Sequence, residues 1–213
     1  MTAILICGGD VTAAFLRKCL EQYEEAMVYA VDGGLTVASE ARVMPDVLVG
    51  DFDTADASLV AMYENCCEVL RHVPEKDATD TELAVDDALA KGADRVVMLG
   101  ATGSRMDHTL ANIHMLYRIL ERGKRGCIVN ENNRISMYQE SFSLKKEELF
   151  GTYLSFLPFY GDVKGLALSG VKYPLYGQDM TAGNSLGVSN EAKDDIIGVS
   201  FLEGYLLMIE ARD

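Results

Sequence analysis

Apolar residues run along this chain in two rhythms. Short, strand-like apolar runs, some with a polar residue at an end or within, fall at 3–7, 27–31, 47–49, 68–73, 95–99 and 125–130. Between them, at 11–25, 34–43, 57–65, 80–91 and 107–122, apolar residues recur every three or four positions. The first kind predicts strands buried on both faces and the second predicts amphipathic helices. Their alternation predicts a parallel sheet covered by helices on both sides. Past about residue 140 the rhythm changes to short stretches at 152–157, 163–168, 196–202 and 205–210, broken by Gly, Pro and Asn. These predict strands, with Glu203-Gly204 as the turn of a hairpin. The expected fold class is α/β: an N-terminal parallel-sheet α/β domain over residues 1–140, then a small all-β domain over 141–213. So small a β domain has a thin core, so it is expected to dock on the first domain or on a second subunit.

In parallel sheets of this kind, ligands gather at the C-terminal ends of the strands. The polar signals lie there. Gly8-Gly9-Asp10, Asp32-Gly33-Gly34 and Asp51-Phe52-Asp53 follow the first three predicted strands, and 74–80 and 100–107 follow the next two. On a continuing strand, Asp51 and Asp53 share a face and can reach one hard cation; an isolated pair of this kind is otherwise a solvated turn. In Lys76-Asp77-Ala78-Thr79-Asp80-Thr81-Glu82, Thr79 and Glu82 form a capping-box pattern, and Asp80 and Glu82 suit a helix dipole. Capping leaves Lys76 and Asp77 unexplained. Asp77 and Asp80 would add carboxylates beside the first pair, and Lys76 would meet a phosphate. The segment from Gly100 to His108 joins a strand to a helix. Its small residues and helix N-terminus suit an anion, and Arg105 offers a bidentate phosphate partner. Asp107 alternatively reads as the helix N-cap, and His108 and His114 as ordinary helix residues.

Charge narrows the partners. The chain has 213 residues, 33 acidic and 19 basic, for a net charge of −14. Such a surface repels nucleic acid and anionic membranes. It holds an anionic nucleotide only where divalent metal and a few cations reverse the local field, and it suits a cationic small substrate. Five cysteines without C-x-x-C spacing read as free thiols of a reducing compartment. The N-terminal apolar run reads as a first strand and not a signal peptide, so the expected location is cytoplasmic. Neither G-x-x-x-x-G-K-[ST] nor G-x-G-x-x-G occurs. Gly183-Asn184-Ser185-Leu186-Gly187 formally matches G-x-S-x-G, but all three histidines precede Ser185 and the surrounding pattern is β, which excludes a nucleophile elbow.

Taken together and in order, these segments resemble the thiamine pyrophosphokinase (thiamine diphosphokinase) family over nearly the whole chain. The residues that carry the likeness are Asp32-Gly33-Gly34, Pro45-Asp46, Gly50-Asp51-Phe52-Asp53-Thr54, Lys76-Asp77 with Thr79-Asp80 and Glu82, and Gly100-Ala101-x-Gly103-x-Arg105-x-Asp107-His108 with Asn112. The C-terminal part adds Ser185-Leu186-Gly187-Val188-Ser189-Asn190-Glu191 and Glu203-Gly204-Tyr205-Leu206-Leu207. The resemblance implies transfer of diphosphate from ATP to the hydroxyl of thiamine, releasing AMP. It implies an α/β nucleotide-binding domain, a β-sandwich domain that binds thiamine and dimerises, and a homodimer with active sites at the subunit interface. By the same likeness, Asp51, Asp53, Asp77 and Asp80 would hold Mg²⁺ and the triphosphate, completed by Arg105 and Asp107. Asp32, Gly33, Gly34, Lys76, Gly100, Thr102, Gly103, Arg105 and His108 would surround the nucleotide. Asp80, Asp107, Ser185, Ser189 and Asn190 would lie near thiamine. Tyr173 stands where some relatives carry a tryptophan near the substrate. The alternatives are a diphosphokinase acting on a hydroxymethylpterin alcohol and a non-catalytic thiamine or nucleotide sensor.

Overall fold

The computed structural model describes residues 1–23, 25–52, 57–71 and 78–213. The chain divides into two compact units, Met1–Glu131 and Asn132–Asp213.

The first unit alternates strand and helix: β1 (Thr2–Ile6), α1 (Ala13–Leu20), β2 (Met27–Val31), α2 (Gly34–Ala41), β3 (Val47–Gly50), α3 (Ala57–Glu64), β4 (Glu68–Arg71), α4 (Asp80–Ala90), β5 (Arg95–Leu99), α5 (Met106–Glu121) and β6 (Arg125–Val129). The strands form a parallel sheet in the order β4-β3-β2-β1-β5-β6. Ala3, Ile4, Leu5 and Ile6 of β1 are fully buried, as are Val96, Met98 and Leu99 of β5. Both faces of these strands are therefore covered, as their uninterrupted apolar runs require. Each buried Leu or Ile contributes about 1.5–3 kcal/mol relative to exposure.

Helix ends follow from local chemistry. Thr12 caps α1, its hydroxyl accepting from the Phe15 amide (3.2 Å). That helix ends at Leu20, short of the predicted 25, because the chain turns ahead of Glu25, whose φ is +60°. Thr79 caps α4 by accepting from the Glu82 amide (3.2 Å), as the capping pattern predicts. The other half of the box takes a different route: the Glu82 carboxylate pairs with Arg118 of α5 (2.9 Å). Arg118 also grips Asp86 (2.6 Å), so α4 and α5 are tied together by one guanidinium. Buried Tyr29 donates its hydroxyl to Asp87 (2.9 Å) and anchors α4 to β2.

The second unit is antiparallel: β7 (Asn133–Tyr138), β8 (Phe142–Lys145), β9 (Tyr153–Ser169), β10 (Leu175–Met180), β11 (Asn190–Glu191), β12 (Ile196–Ser200) and β13 (Glu203–Ala211), with one 3-10 turn at Lys146–Glu148. The order is β7-β13-β9-β12-β8, with β10 and β11 also on β9. Two predicted strands, 152–157 and 163–168, are thus one 17-residue strand. Its first half pairs with β13 and β11, and its second half with β10 and β12. Tyr160 (φ +54°) and Gly161 bend it between the two sheets. Leu154, Phe156, Leu206 and Met208 from one sheet meet Leu166, Leu168, Ile197 and Val199 from the other in a common core.

The predicted hairpin at Glu203-Gly204 is not formed. Both β12 and β13 pair with β9, and Gly204 (φ +106°) sits in a bulge where the β13–β9 register shifts. The Glu-Gly pair therefore spends its conformational freedom on a bulge and not a turn. Among the described residues, no helix is long and apolar enough to cross a membrane.

Candidate active site

In the first unit the strand order places β2 on one side of β1 and β5 on the other. The connections leaving such a switch point part in opposite directions and open a crevice at the carboxyl ends of the strands. A cavity of about 530 Å³ lies there. Its wall comprises residues 7–10 after β1, Val31 and Asp32 at the end of β2, and Asp51 after β3. It continues through residues 78–81 and Leu83 around the start of α4, then residues 100–105, His108, Thr109 and Asn112 at the β5–α5 turn.

The cavity floor is built from backbone. The Gly9 amide donates to Gly100 O (2.8 Å) and the Asp10 amide to Thr102 O (2.7 Å). A Cβ on Gly9 would collide with both of those carbonyl oxygens, so only glycine permits this approach. Side chains then fix the β5–α5 turn from three directions. Buried Asn112 donates to Ala101 O (2.8 Å), Thr109 accepts from the Gly103 amide (3.2 Å), and Asn130 donates to the Thr102 hydroxyl (3.0 Å).

The electrostatics differ from one helix start to the next. α4 has a side-chain cap in Thr79, whereas α5 begins at Arg105 with no side-chain cap. The uncapped start leaves amide donors and the positive end of a 16-residue helix for an anion. Asp107 is in the first turn of α5 and not at its N-cap. It forms a bidentate pair with Arg105 (2.6 and 3.2 Å) at an exposed position. That guanidinium, with the His108 amide, holds the Asp107 carboxyl down at about 2. Cys7 is buried and receives a weak hydrogen bond from Thr81 (3.8 Å); burial pushes its thiol up to about 12.

Of the residues expected around the nucleotide and metal, Asp32, Asp51, Asp80, Gly100, Thr102, Gly103, Arg105 and His108 share this one cavity. Gly33 and Gly34 are not part of its wall; they pack against the backbone of Gly8 and Ile6. Asp107 also lies outside the wall, attached to it through Arg105. Asp53, Lys76 and Asp77 lie outside the described residues. The wall further contains Asp10, Thr81, Thr109 and Asn112, to which the sequence motifs assign no role. Asp10 had the strand-end signal that marks the others, and Asn112 belongs to the motif that carries the resemblance; Thr109 is hidden because hydroxyl residues are common within helices.

Among the described residues, no three of His, Cys, Asp and Glu converge tightly enough to hold a metal ion. The donors offered by the wall are nonetheless of one chemical kind. Asp10, Asp32, Asp51 and Asp80 present carboxylates, the ligands of hard divalent cations. The Cys7 thiol stays protonated and offers no thiolate to a soft metal. On donor chemistry the set fits Mg²⁺.

Ser185, Ser189 and Asn190 belong to the second unit. Asn190 is buried and spends its amide on the chain: Oδ1 accepts from the Tyr173 amide (3.0 Å) and Nδ2 donates to Tyr173 O (2.8 Å). Ser185 and Ser189 are exposed, and Ser189 adopts φ +57° with its amide donated to the Ser155 hydroxyl (3.0 Å). Tyr173 is 59% exposed, with the Lys172 ammonium 5.5 Å from its ring centroid.

Comparison with known proteins agrees with this layout. Residues 20–128 match the thiamin pyrophosphokinase catalytic domain and residues 140–206 the thiamin pyrophosphokinase vitamin B1 binding domain. The chain is 34% identical over 192 residues to thiamine pyrophosphokinase of Bacillus subtilis (strain 168), covering 89% of each. The crystal structure of thiamine pyrophosphokinase from Bacillus subtilis superposes with a TM-score of 0.89 at 31% identity, covering 100% of both chains. That of thiamin pyrophosphokinase from Geobacillus thermodenitrificans gives 0.86 at 29% identity, covering 100% of this chain and 98% of the other. On these matches, which run through both units, the chain belongs to the thiamin pyrophosphokinase family.

Proposed function

We propose that the chain is a thiamine diphosphokinase that transfers diphosphate from ATP to thiamine, giving thiamine diphosphate and AMP. The observation that carries this reading is the pair of family matches, catalytic over 20–128 and vitamin B1-binding over 140–206, on one continuous chain. Neither a pterin diphosphokinase nor a sensor is favoured by them.

In this reading the first unit binds ATP and magnesium, and the second binds thiamine and dimerises. The thiamine hydroxyl oxygen attacks the β-phosphorus, the bond to the α,β-bridging oxygen breaks, and AMP leaves with that oxygen. Positioning and charge neutralisation dominate such a displacement. The uncapped start of α5 and the Arg105 guanidinium orient the phosphates, and Asp107 keeps Arg105 at the rim. Lys76 supplies a further positive charge to the phosphates. Asp51, Asp53, Asp77 and Asp80 would hold Mg²⁺, which when bound offsets charge on the phosphate oxygens. Gly100, Thr102, Gly103 and His108 line the nucleotide, while Ser185 and Ser189 face thiamine. Exposed Tyr173, Tyr176, Leu186 and Val188 support a homodimer through the second unit.

The test is to incubate the protein with Mg·ATP and either thiamine or a hydroxymethylpterin. Equal amounts of AMP and thiamine diphosphate, formed only with thiamine, are expected. AMP formed with the pterin alone, or without any alcohol, contradicts the assignment. Light scattering then reads the oligomeric state, for which a mass of twice 23.3 kDa is expected.

A further inference from the structure

Asp32 is set apart from the other carboxylates of the cavity. Its Oδ1 is buried and has no hydrogen-bond partner among the described residues. Its backbone adopts φ +46°, a left-handed conformation that is uncommon outside glycine and is held here from both sides. The Asp32 amide donates to Val49 O (2.8 Å), and its carbonyl accepts from the Leu35 amide (3.2 Å). The protein thus pins one carboxylate at a cavity wall and leaves a buried oxygen unsatisfied. That arrangement is costly until a donor arrives.

Its place in the sheet narrows the choice of donor. Asp32 follows β2, which flanks β1 on the side away from the switch point. In doubly wound nucleotide sites the phosphates meet backbone at the crevice, and an acid at the end of the second strand accepts a ribose hydroxyl. Here the Gly9 and Asp10 amides are spent on Gly100 O and Thr102 O, so the phosphates fall to the α5 start and Arg105, which share one cavity with Asp32.

We propose that Asp32 accepts a hydrogen bond from a ribose hydroxyl of the nucleoside triphosphate, making it the residue that selects ribonucleotides over deoxynucleotides. This rests on the nucleotide binding at the β1–β5 switch point. The test measures kcat/KM and, without thiamine, Kd for ATP, 2′-deoxy-ATP and 3′-deoxy-ATP in the wild type, Asp32→Ala and Asp32→Asn. The wild type is expected to prefer ATP over at least one analogue by about tenfold or more, as sites built around a substrate hydroxyl do. Asp32→Ala should lower the value for ATP at least fivefold more than that for the disfavoured analogue. Asp32→Asn keeps the shape and tolerates positive φ but offers a neutral acceptor, and should lose at least threefold of the preference. It carries the comparison should the Ala variant not fold. A wild-type ratio near one, an equal loss for all three nucleotides or an unchanged ratio in Asp32→Asn overturns the proposal; the equal loss would mark Asp32 as a metal ligand or a structural residue. If no nucleotide yields AMP, the diphosphokinase reading fails, and the Kd ratios still decide the role of Asp32.

Discussion

In the unit Met1–Glu131, candidate side chains stand at the ends of parallel strands whose backbones are already satisfied. In the unit Asn132–Asp213, the candidate amide is itself part of the backbone's hydrogen bonding. Asp32, Asp51 and Asp80 line a cavity that the sheet creates by switching direction at β1 and β5. Asn190 instead fastens the Tyr173 backbone with two hydrogen bonds. A parallel sheet delivers its strand-end carboxylates to one edge, and the turn beside them is fixed by other side chains, Asn112, Thr109 and Asn130. In the antiparallel unit the candidate residue Asn190 itself fixes a loop.

This contrast predicts different outcomes for mutations in the two units. Asp51→Asn should lower kcat by about 100-fold or more, the scale of losing one charge-stabilising group, while the melting temperature stays within a degree or two. A large drop in melting temperature would give Asp51 a structural role and break the comparison. Asn190→Ala should do the reverse and destabilise by about 1–3 kcal/mol, because the Tyr173 amide and carbonyl lose buried partners. Calorimetry reads that as a fall of several degrees. An unmoved melting temperature with a raised KM for thiamine would make Asn190 a substrate contact.

How far the sequence reveals each unit follows the same division. All eleven elements of the first unit are legible, since its parallel strands are apolar along most of their length and helices between them show a 3.6 period. The strand-end clusters are legible too, because Gly and Asp mark where the chain leaves the sheet. In the second unit, β7, β8, β10 and β11 leave no such trace. β10 reads Leu-Tyr-Gly-Gln-Asp-Met with only its end residues buried, and β11 has two residues. The continuity of β9 is equally invisible, because its Tyr160-Gly161 bend looks like a turn between strands. Buried charge is another hidden feature. Glu210 is fully buried, paired with Arg134 and accepting from the Phe150 amide (3.0 Å), yet nothing in its neighbourhood of sequence announces it.

Smaller effects sharpen the picture at the cavity rim. Thr79→Ala should cost about 1 kcal/mol by uncapping α4, measurable by denaturant unfolding; no change would mean that the Glu82 amide finds another acceptor. With a thiol reagent at pH 8, exposed Cys66 should label in the native protein, whereas buried Cys7 should label only after unfolding. Asp107 should have the least visible effect. Its folded value is depressed, so the contribution of its pair with Arg105 is fully present above the ordinary carboxylate range near 4. That contribution is lost only as pH falls through about 2. A carboxyl titration of Asp107 by NMR should therefore show no inflection between pH 4 and 9, and one in that window would contradict the pair.

The most direct test of the division of labour between the units is amide hydrogen exchange of the intact protein, with Mg·ATP alone and with thiamine alone. Mg·ATP should slow exchange at residues 8–10, 32–34 and 100–109, and thiamine at residues 172–176 and 185–190. Protection by Mg·ATP confined to the second unit, with the β1 and β5 strand ends unchanged, would contradict a nucleotide site at the switch point.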